Sequence, residues 1–262
     1  AGETILMLGQ VHNDLPYMPG DAELGMDAFD YLLDEKDSTT LFSTPNMPVG
    51  FQDHFIGLHA STLVRDGGTL QIGIGSMGDA LTAALLARQA DNEAYRLLLT
   101  DLDVYQWAPL ISHEGGVAPF ARGLYGCSEM FVNGLLVLAD AGIVRRKVYP
   151  DVATQAQANA GLLDDAAQPD GVSIHGGFFL GPRSFYQRLQ EMTHARRLDF
   201  DMTRISYINE LYGQEELKRL QRLDARFINS AIVVTLLGAG VADQLEGGHV
   251  LSGVGGQYNF VA

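Results

Sequence analysis

The chain has a single cysteine, Cys127, among its 262 residues, so no internal disulfide bond can form. Basic residues are also scarce, because 17 Lys and Arg stand against 32 Asp and Glu and give a formal net charge of −15. Binding to a nucleic-acid backbone depends on clustered Lys and Arg. We therefore expect no nucleic-acid partner.

Long apolar runs are missing as well. A stretch such as residues 231–237 (AIVVTLL) falls far short of the roughly 20 residues that a membrane helix requires. The chain also opens without a basic segment followed by an apolar one, which is the pattern of a secretory signal. We expect a soluble cytoplasmic protein with no membrane partner.

Two common catalytic signatures are absent. The seven histidines show neither the H-E-x-x-H pattern nor any pairing with cysteines, so no metal site is predicted. The G-x-S-x-G elbow that carries the nucleophile of many hydrolases does not occur. The sequence thus gives no support to metal-dependent or serine-triad hydrolysis.

What the chain does contain is an ordinary globular composition, with 47% hydrophobic and 19% charged residues. Apolar patterns predict helices over residues 54–64, from 79 onward, over 131–143, 183–192 and 214–223, and strands over 4–9, 69–74, 227–237 and 249–260. A strand, a glycine loop and a helix in succession indicate a parallel α/β layer.

One pattern occurs twice. Residues 66–75 (DGGTLQIGIG) and 246–255 (EGGHVLSGVG) both read as an acidic residue, Gly-Gly, four residues and Gly-x-Gly. With 30 glycines in the chain, coincidence is the alternative explanation. If the two copies are related, they predict two similar half-domains whose glycine loops face one site, since backbone without side chains can lie against a ligand.

The first copy extends into G-x-G-x-x-G over residues 73–78, which is the dinucleotide-binding fingerprint. That fingerprint needs an acidic residue at the end of a second strand about 20 residues further on. Asp91 and Glu93 lie in that region, within a helical pattern. A nicotinamide- or flavin-dependent oxidoreductase is therefore the weaker alternative, beside a glycine turn of purely structural meaning.

The segment 123–134 (GLYGCSEMFVNG) places one carboxylate, Glu129, among small and apolar residues at the expected start of a helix. Glu129 could be a helix-start acid stabilised by the helix dipole, or a nucleophile, since carboxylates form covalent intermediates with activated carbonyls. Cys127 is a second candidate nucleophile, but a lone cysteine is more often a small packed hydrophobe. The basic run 145–147 is interpreted as a solvated face rather than a phosphate clamp.

Four segments in one order carry a resemblance. Residues 66–75 are similar to D-G-A-T-L-Q-x-G-I-G, residues 128–134 (SEMFVNG) to [ST]-E-M-x-S-D-G, residues 227–231 (FINSA) to I-N-S-A/C, and residues 252–257 (SGVGGQ) to S-G-V-G-G-Q. Together they resemble the acetyl-CoA hydrolase/transferase family, which includes acetate and 4-hydroxybutyrate CoA-transferases. Four ordered motifs are far more specific than any one of them.

The resemblance implies an α/β enzyme of two related open-sheet half-domains with the site in the cleft between them. It places the later part of the first domain at 1–150 and the first part of the second at 151–262, so both half-domains are expected to be incomplete here. The weak structural signal of residues 152–170 is where we set this division.

The resemblance also implies chemistry: Glu129 is the nucleophile that becomes a glutamyl-CoA thioester. Coenzyme A is then a substrate rather than a bound cofactor, the partners are an acyl-CoA and a small carboxylate, and a homodimer is left open. The positions implied to contact CoA are Gln71, Ile72, Gly73, Ile74, Gly75, Ile232, Gly253, Gly255 and Gly256.

The sequence departs from the family pattern, so an alternative function stays open. Asn133 replaces the usual Asp, the segment between Gly75 and Glu129 is long, and residues 175–182 (HGGFFLGP) resemble a subgroup signature for which we favour a backbone-packing role. The chain resembles the middle portion of longer members. A noncatalytic CoA-binding module or an inactive fragment of such an enzyme is therefore the alternative function.

Overall fold

The computed structural model describes residues 5–34, 40–163, 170–245 and 247–251. Its strands are β1 Leu8–Gln10, β2 Tyr31–Leu33, β3 Thr69–Ile72, β4 Tyr125–Phe131, β5 Ile174–Phe179, β6 Phe200–Met202, β7 Arg226–Ile228, β8 Val233–Val234 and β9 Gly240–Val241. Its α-helices are α1 Phe51–Thr62, α2 Ser76–Ala90, α3 Asn92–Asp101, α4 Ala108–Glu114, α5 Asn133–Asp140, α6 Val152–Asn159, α7 Arg183–Glu191, α8 His194–Arg197, α9 Ile205–Asn209 and α10 Glu215–Gln221.

Five of these strands form one parallel sheet in the order β6-β5-β4-β3-β7. The chain steps outward from β3 through β4 and β5 to β6, and β7 then returns to the other side of β3. Helices connect successive strands, as parallel pairing requires. The predicted α/β class with an open sheet is confirmed.

Apolar side chains cover both faces of the sheet. On one face, Leu70 and Ile72 of β3 pack in a cluster with Leu81 and Leu85 of α2 and Leu135 of α5. On the other face, a smaller cluster joins the Tyr125 and Cys127 side chains of β4 to Ile208 of α9. Because both faces are covered, the central strands read as continuous buried runs rather than alternating ones.

The helices predicted around the first glycine loop are confirmed, with changed bounds. The predicted helix from residue 79 onward is two helices, because Asp91 ends α2 and accepts a hydrogen bond from the Ala94 amide at the start of α3. A side-chain acceptor at this position satisfies an amide that has no partner in the first turn of a helix.

Three strand predictions are wrong in extent. The expected buried strand 4–9 is the short β1, which pairs with β2 apart from the main sheet and leaves Leu8 75% exposed. The expected strand 227–237 is divided between β7 and β8, and residues 249–251 of the last expected strand are not in a strand. The rest of that segment lies outside the described residues.

The expected helix over residues 131–143 is also shorter than predicted. It begins at Asn133, and the preceding residues form β4, so Glu129 lies in a strand and not at a helix start. Glycines allow close packing around β4 and β5: a Cβ at Gly126 would lie 2.9 Å from the Ile174 side chain, and one at Gly176 2.8 Å from the Met202 side chain. Small residues here let neighbouring side chains pack against the backbone.

The basic run 145–147 is a solvated face only at Arg145, which is exposed. Arg146 is buried and donates to the Gln221 carbonyl oxygen at 2.7 Å and to the Thr69 hydroxyl at 3.0 Å, while Lys147 pairs with Asp199. Burial lowers the pKa of Arg146 to about 10. These cations satisfy carbonyl oxygens of the surrounding loops.

Strands from both sides of the expected domain division belong to this sheet, since β3 and β4 precede residue 150 and β5, β6 and β7 follow it. The division at 150/151 stays a prediction. Within the described residues, none of the helices combines the length and apolarity needed to cross a membrane.

Candidate functional site

The carboxyl ends of β3, β4 and β5 meet at one edge of the sheet, the edge at which open α/β sheets bind ligands. A cavity of about 150 Å³ lies there. The loops that follow these three strands line it together with a segment that precedes α1: Ile72–Gly75, Gly78–Asp79, Val132–Gly134, Leu180–Pro182 and Thr44–Met47. Four of the expected glycine-loop residues, Ile72, Gly73, Ile74 and Gly75, therefore line the same cavity as the segment after Glu129.

The glycine loop presents its backbone to open space. A Cβ built at Gly73 or at Gly75 would have nothing within 4 Å, and Gly75 has φ +100° and ψ 177°, which only glycine adopts without strain. Gly78 is packed instead, because a Cβ there would lie 2.2 Å from the Gly73 carbonyl oxygen. The three glycines thus divide into two that leave room for a ligand and one that lets α2 approach the loop.

Glu129 lies near the carboxyl end of the central strand β4 and is half-buried. Its Oε2 accepts a hydrogen bond of 2.7 Å from Nδ2 of Asn209, the last residue of α9. Within the described part of the chain, the second oxygen, Oε1, has no hydrogen-bond partner. One oxygen is therefore held in place while the other keeps its lone pairs free.

Asn209 uses only half of its amide. Its Oδ1 is buried and has no hydrogen-bond partner among the described residues. The reverse orientation would turn that oxygen toward the Glu129 carboxylate, where two acceptors would repel, so the amide orientation follows from the network. An unsatisfied buried acceptor costs about 1–3 kcal/mol, and such costs concentrate at functional sites.

Gln71 does not face the cavity with a free side chain. It is 4% exposed and exchanges two hydrogen bonds with Asn229, one of 3.2 Å from Gln71 Nε2 and one of 3.1 Å from Asn229 Nδ2. Ile72 is buried in the main core cluster, whereas the Ile74 side chain is exposed. A ligand at this loop would meet backbone groups and Ile74 rather than the Gln71 amide.

The remaining expected contact positions fall elsewhere. Ile232 is exposed, donates its amide to the Val241 carbonyl oxygen at 2.7 Å and does not line the cavity. Gly253, Gly255 and Gly256 lie outside the described residues. Of the second glycine pattern, Gly247 has φ +91°, close to the φ of +82° at Gly67 in the first copy.

Cys127 is a poor candidate nucleophile. The side chain is fully buried, and burial raises the pKa of the thiol. A thiol in apolar surroundings stays protonated and inert. Of the two candidate nucleophiles on β4, Cys127 is fully buried, whereas Glu129 is half-buried.

A larger cavity of about 600 Å³ lies on the face of the sheet that α9 covers, and Glu129 does not line it. The His175 and Asp201 side chains form part of its wall. Burial holds the pKa of Tyr125 well above its usual range, and its hydroxyl hydrogen-bonds Nδ1 of His175 at 2.7 Å, in a direction that the His175 tautomer sets. The other ring nitrogen, Nε2, faces Asp201 Oδ2 at 3.4 Å.

The subgroup signature 175–182 takes a packing role beside Glu129. In the register of β4 and β5, Gly177 lies opposite Glu129, between the pairs Ser128–Gly176 and Met130–Phe178. A Cβ at Gly177 would lie 2.9 Å from the Glu129 carbonyl oxygen and 2.4 Å from Cδ1 of Ile205. The backbone-packing interpretation of this segment therefore has a structural basis.

The dinucleotide alternative finds no support in the acidic residues that should carry it, because Asp91 caps α3 and Glu93 lies within that helix. Among the described residues, no three His, Cys, Asp or Glu side chains are placed to hold a metal ion. The sheet and site together define a parallel α/β protein with a carboxylate held near the carboxyl end of β4 and an open glycine loop after the neighbouring strand β3, although Glu129 does not line the cavity at that loop.

Comparisons with known proteins find members of one family. Residues 181–262 match the model of the acetyl-CoA hydrolase/transferase C-terminal domain. The 4-hydroxybutyrate coenzyme A transferase of Clostridium kluyveri is 22% identical over 256 residues, which cover 98% of this chain and 45% of that protein. The resemblance to the acetyl-CoA hydrolase/transferase family is therefore confirmed, and the chain spans less than half the length of this relative.

Solved structures show the same fold. RipA from Yersinia pestis superposes with a TM-score of 0.63 at 18% identity, covering 98% of this chain and 44% of that one. A mutant form of RipA gives a TM-score of 0.64 with the same identity and coverage. At this level of identity the likeness concerns the fold alone.

No sequence pattern indicates a role for Asn209. It lies 80 residues from Glu129, in a helix of five residues without a motif of its own. Only the packing of α9 over β4 and β5 brings the two side chains together.

Proposed function

We propose that the full-length polypeptide is an acyl-CoA:carboxylate CoA-transferase or an acetyl-CoA hydrolase that acts through Glu129. The observation that carries the proposal is the half-buried Glu129 carboxylate near the carboxyl end of β4, which Asn209 holds by one oxygen at 2.7 Å, while the neighbouring strand β3 leads into the open glycine loop. The family resemblance agrees with this activity. The alternative is a CoA-binding module without turnover.

The first covalent step would be attack of Glu129 Oε1 on the thioester carbonyl of an acyl-CoA. The C–S bond breaks, the thiolate of CoA leaves, and an acyl-glutamyl anhydride remains. The thiolate then attacks the glutamyl carbonyl of the anhydride and releases the original acyl group as its carboxylate. The product on the protein is a Glu129–CoA thioester.

The second half of the reaction would reverse these steps with a new carboxylate. The acceptor carboxylate attacks the glutamyl thioester and expels the thiolate, which then attacks the acyl carbonyl of the new anhydride and leaves as acyl-CoA. Water in place of the acceptor hydrolyses the thioester to Glu129 and free CoA. The two branches differ only in which nucleophile reaches the thioester.

Each attack places negative charge on a carbonyl oxygen, which needs hydrogen-bond donors nearby. Backbone amides at Gly73 and Gly75 are accessible because no Cβ stands before them. We assign the same task to Gly253, Gly255 and Gly256, which remain predicted positions. Loss of one such donor typically lowers the rate by about 10²- to 10³-fold.

The substrate class follows from the family and not from the cavity. The Clostridium relative is named for 4-hydroxybutyrate, a small carboxylate. We propose an acyl-CoA as the donor and a small carboxylate as the acceptor, without a permanently bound cofactor. Neither step needs a metal ion or a redox group.

Trapping the intermediate tests the proposal. The full-length polypeptide is incubated with acetyl-CoA, treated with hydroxylamine or borohydride, and digested for mass spectrometry. We expect modification confined to the peptide that carries Glu129. Modification at another residue, or at none, contradicts the mechanism.

The isosteric variant Glu129→Gln keeps an acceptor for Asn209 but removes the nucleophile. We expect turnover to fall by at least about 10³-fold, as for removal of other nucleophiles. Glu191→Gln, on the exposed face of α7, is the matched control and should retain full activity. Turnover that survives Glu129→Gln refutes the role of Glu129.

Asn209 is a positioning residue in this scheme. Asn209→Ala should lower kcat by about 10- to 100-fold with little change in KM, because the carboxylate loses its fixed orientation. Asn209→Asp removes the amide donor and places a second carboxylate against Glu129, so it should lower kcat at least as much as Asn209→Ala. A merely structural role would change stability without this separation of kcat from KM.

Calorimetry separates the enzyme from the binding module. Binding of CoA together with adduct formation supports the enzyme, whereas binding of CoA without any adduct supports the module. A chain that neither binds CoA nor forms an adduct is an inactive fragment.

A further inference from the structure

Glu129 has an unusual neighbour on the adjacent strand. Gly177 lies opposite it in the β4–β5 ladder, so no side chain from β5 stands beside the carboxylate. The space that a side chain would fill is taken by Ile205, whose Cδ1 lies 2.4 Å from the position of a Cβ on Gly177. The same position is 2.9 Å from the backbone carbonyl oxygen of Glu129, so the end of the Ile205 side chain lies over the strand position next to Glu129.

Ile205 and Asn209 come from the same short helix. They are the first and last residues of α9 and lie four positions apart, which places them on one side of the helix. Asn209 reaches the Glu129 carboxylate and Ile205 covers Gly177, so this side of α9 faces the two neighbouring strand positions. The helix thus brings one polar and one apolar side chain to the candidate nucleophile.

Ile205 is not part of a closed core. Its side chain is 38% exposed, unlike Ile208 on the same helix, which is fully buried. An acyl group attached to Glu129 would extend from the carboxylate on the face of the sheet that α9 covers. A half-exposed branched side chain over the adjacent strand position can bound the space on that side.

We propose that Ile205 sets the size of the acyl group accepted on Glu129, with Gly177 as the residue that lets Ile205 take this position. The inference rests on the proposed function, since it assigns acyl specificity to the same site. Replacement of Ile205 by Ala removes three carbon atoms from this side of the space. The variant should accept acyl chains longer by about that number.

The magnitude follows from how hydrophobic pockets discriminate. One methylene more or less typically changes kcat/KM by about 10- to 200-fold. We expect Ile205→Ala to raise the ratio of kcat/KM for butyryl-CoA to that for acetyl-CoA by at least about tenfold. Ile205→Val, which lacks only Cδ1, should give an intermediate ratio, and Ile205→Phe should lower it.

The experiment measures these ratios on the full-length polypeptide with acetyl-, butyryl- and hexanoyl-CoA, together with the adduct on Glu129. Leu198→Ala is the matched control, because it shortens a leucine of similar exposure between α8 and β6. We expect its acyl-chain ratio to equal that of the wild type. A loss of packing alone would lower all three rates together and leave the ratios unchanged.

The outcomes are distinguishable. A graded shift in the kcat/KM ratios through Ile205→Val and Ile205→Ala supports the inference. If Ile205→Ala does not fold, the ratios of Ile205→Val alone test it. Unchanged ratios in variants that form the Glu129 adduct overturn the role of Ile205 and leave the proposed function standing. A wild type that forms no adduct with any acyl-CoA overturns the proposed function and this inference with it.

Discussion

Gln71 and Asn229 exchange two amide hydrogen bonds, of 3.2 and 3.1 Å, and so tie β3 to the residue that follows β7. Each side chain offers one donor and one acceptor to the other, which satisfies both amides across adjacent parallel strands. Because Gln71 is almost fully buried, it has no water to replace a lost partner. The pair holds β3 in place immediately before the glycine loop begins.

Asn229→Ala should therefore destabilise the protein by about 1–3 kcal/mol, the cost of a buried amide left without partners. Urea unfolding of Asn229→Ala, Gln71→Met and the double variant gives the coupling between the two residues. We expect the double variant to be less destabilised than the sum of the single ones. Gln187→Ala, in the exposed Gln187–Glu191 pair of α7, is the control and should change stability by under about 0.5 kcal/mol.

Gly75 and Gly73 should respond differently to alanine. Gly75→Ala should cost about 1–3 kcal/mol, because φ +100° with ψ 177° is accessible only to glycine. Gly73→Ala should leave stability within about 0.5 kcal/mol, since nothing lies within 4 Å of its Cβ, and should weaken CoA binding by filling the open space. Thermal unfolding and calorimetry measure the two effects, and equal destabilisation of both variants would contradict the assignment.

Asp66 is the acidic residue of the first glycine motif, and its contribution to stability can be measured. The Asp66 carboxylate accepts hydrogen bonds from the backbone amides of three successive residues, Ala121, Arg122 and Gly123. Asp66→Ala should destabilise the protein by about 1–3 kcal/mol, and Asp66→Asn by less, because the amide retains one acceptor oxygen. Chemical denaturation checks the order, and an Asp66→Asn variant less stable than Asp66→Ala would contradict it.

Asp199 makes stability depend on pH at the acidic end. Burial raises its pKa, but hydrogen bonds from Lys147 and Arg196 outweigh that effect, so the pKa lies below its usual value. The stability that this lowered pKa contributes is present in full above the unfolded-state pKa of about 4 and is lost as the pH falls through the folded-state value. The difference in unfolding free energy between wild type and Asp199→Asn should be constant from pH 5 to 7 and shrink below pH 4, as urea titrations at each pH would measure.

The spacing of apolar residues predicted those helices whose buried face depends on their own sequence alone. The helices around residues 54–64, 183–192 and 214–223 were predicted because apolar residues at helical spacing mark one buried face regardless of neighbours. Bounds moved where a single contact decides them, as at Asp91, whose side chain caps α3.

The strand β4 could not be predicted in the same way. Its residues Gly126, Cys127 and Ser128 have low strand propensity, and the strand forms because β3 and β5 supply hydrogen bonds on both sides. The expectation that Glu129 starts a helix was wrong for this reason. The identity of Glu129 as the candidate nucleophile came from the motif and not from the local structure assigned to it.

Contacts between residues far apart in the chain cannot be predicted from a single sequence. The buried Arg146 binds the Gln221 carbonyl oxygen 75 residues away, and nothing in the run 145–147 distinguishes it from a surface cation. The same applies to Asn209 and Ile205, which lie near Glu129 and Gly177 only because α9 packs over the sheet. The assignments of Gly253, Gly255 and Gly256 remain predictions from the motif.

The return of β7 to the far side of β3 has a consequence for synthesis of the chain. Until Arg226–Ile228 leave the ribosome, the Thr69–Ile72 backbone exposes an unpaired, apolar edge that other nascent chains can join. A variant that stops before residue 226 keeps that edge permanently and should aggregate, while addition of the three-residue strand restores a monodisperse protein.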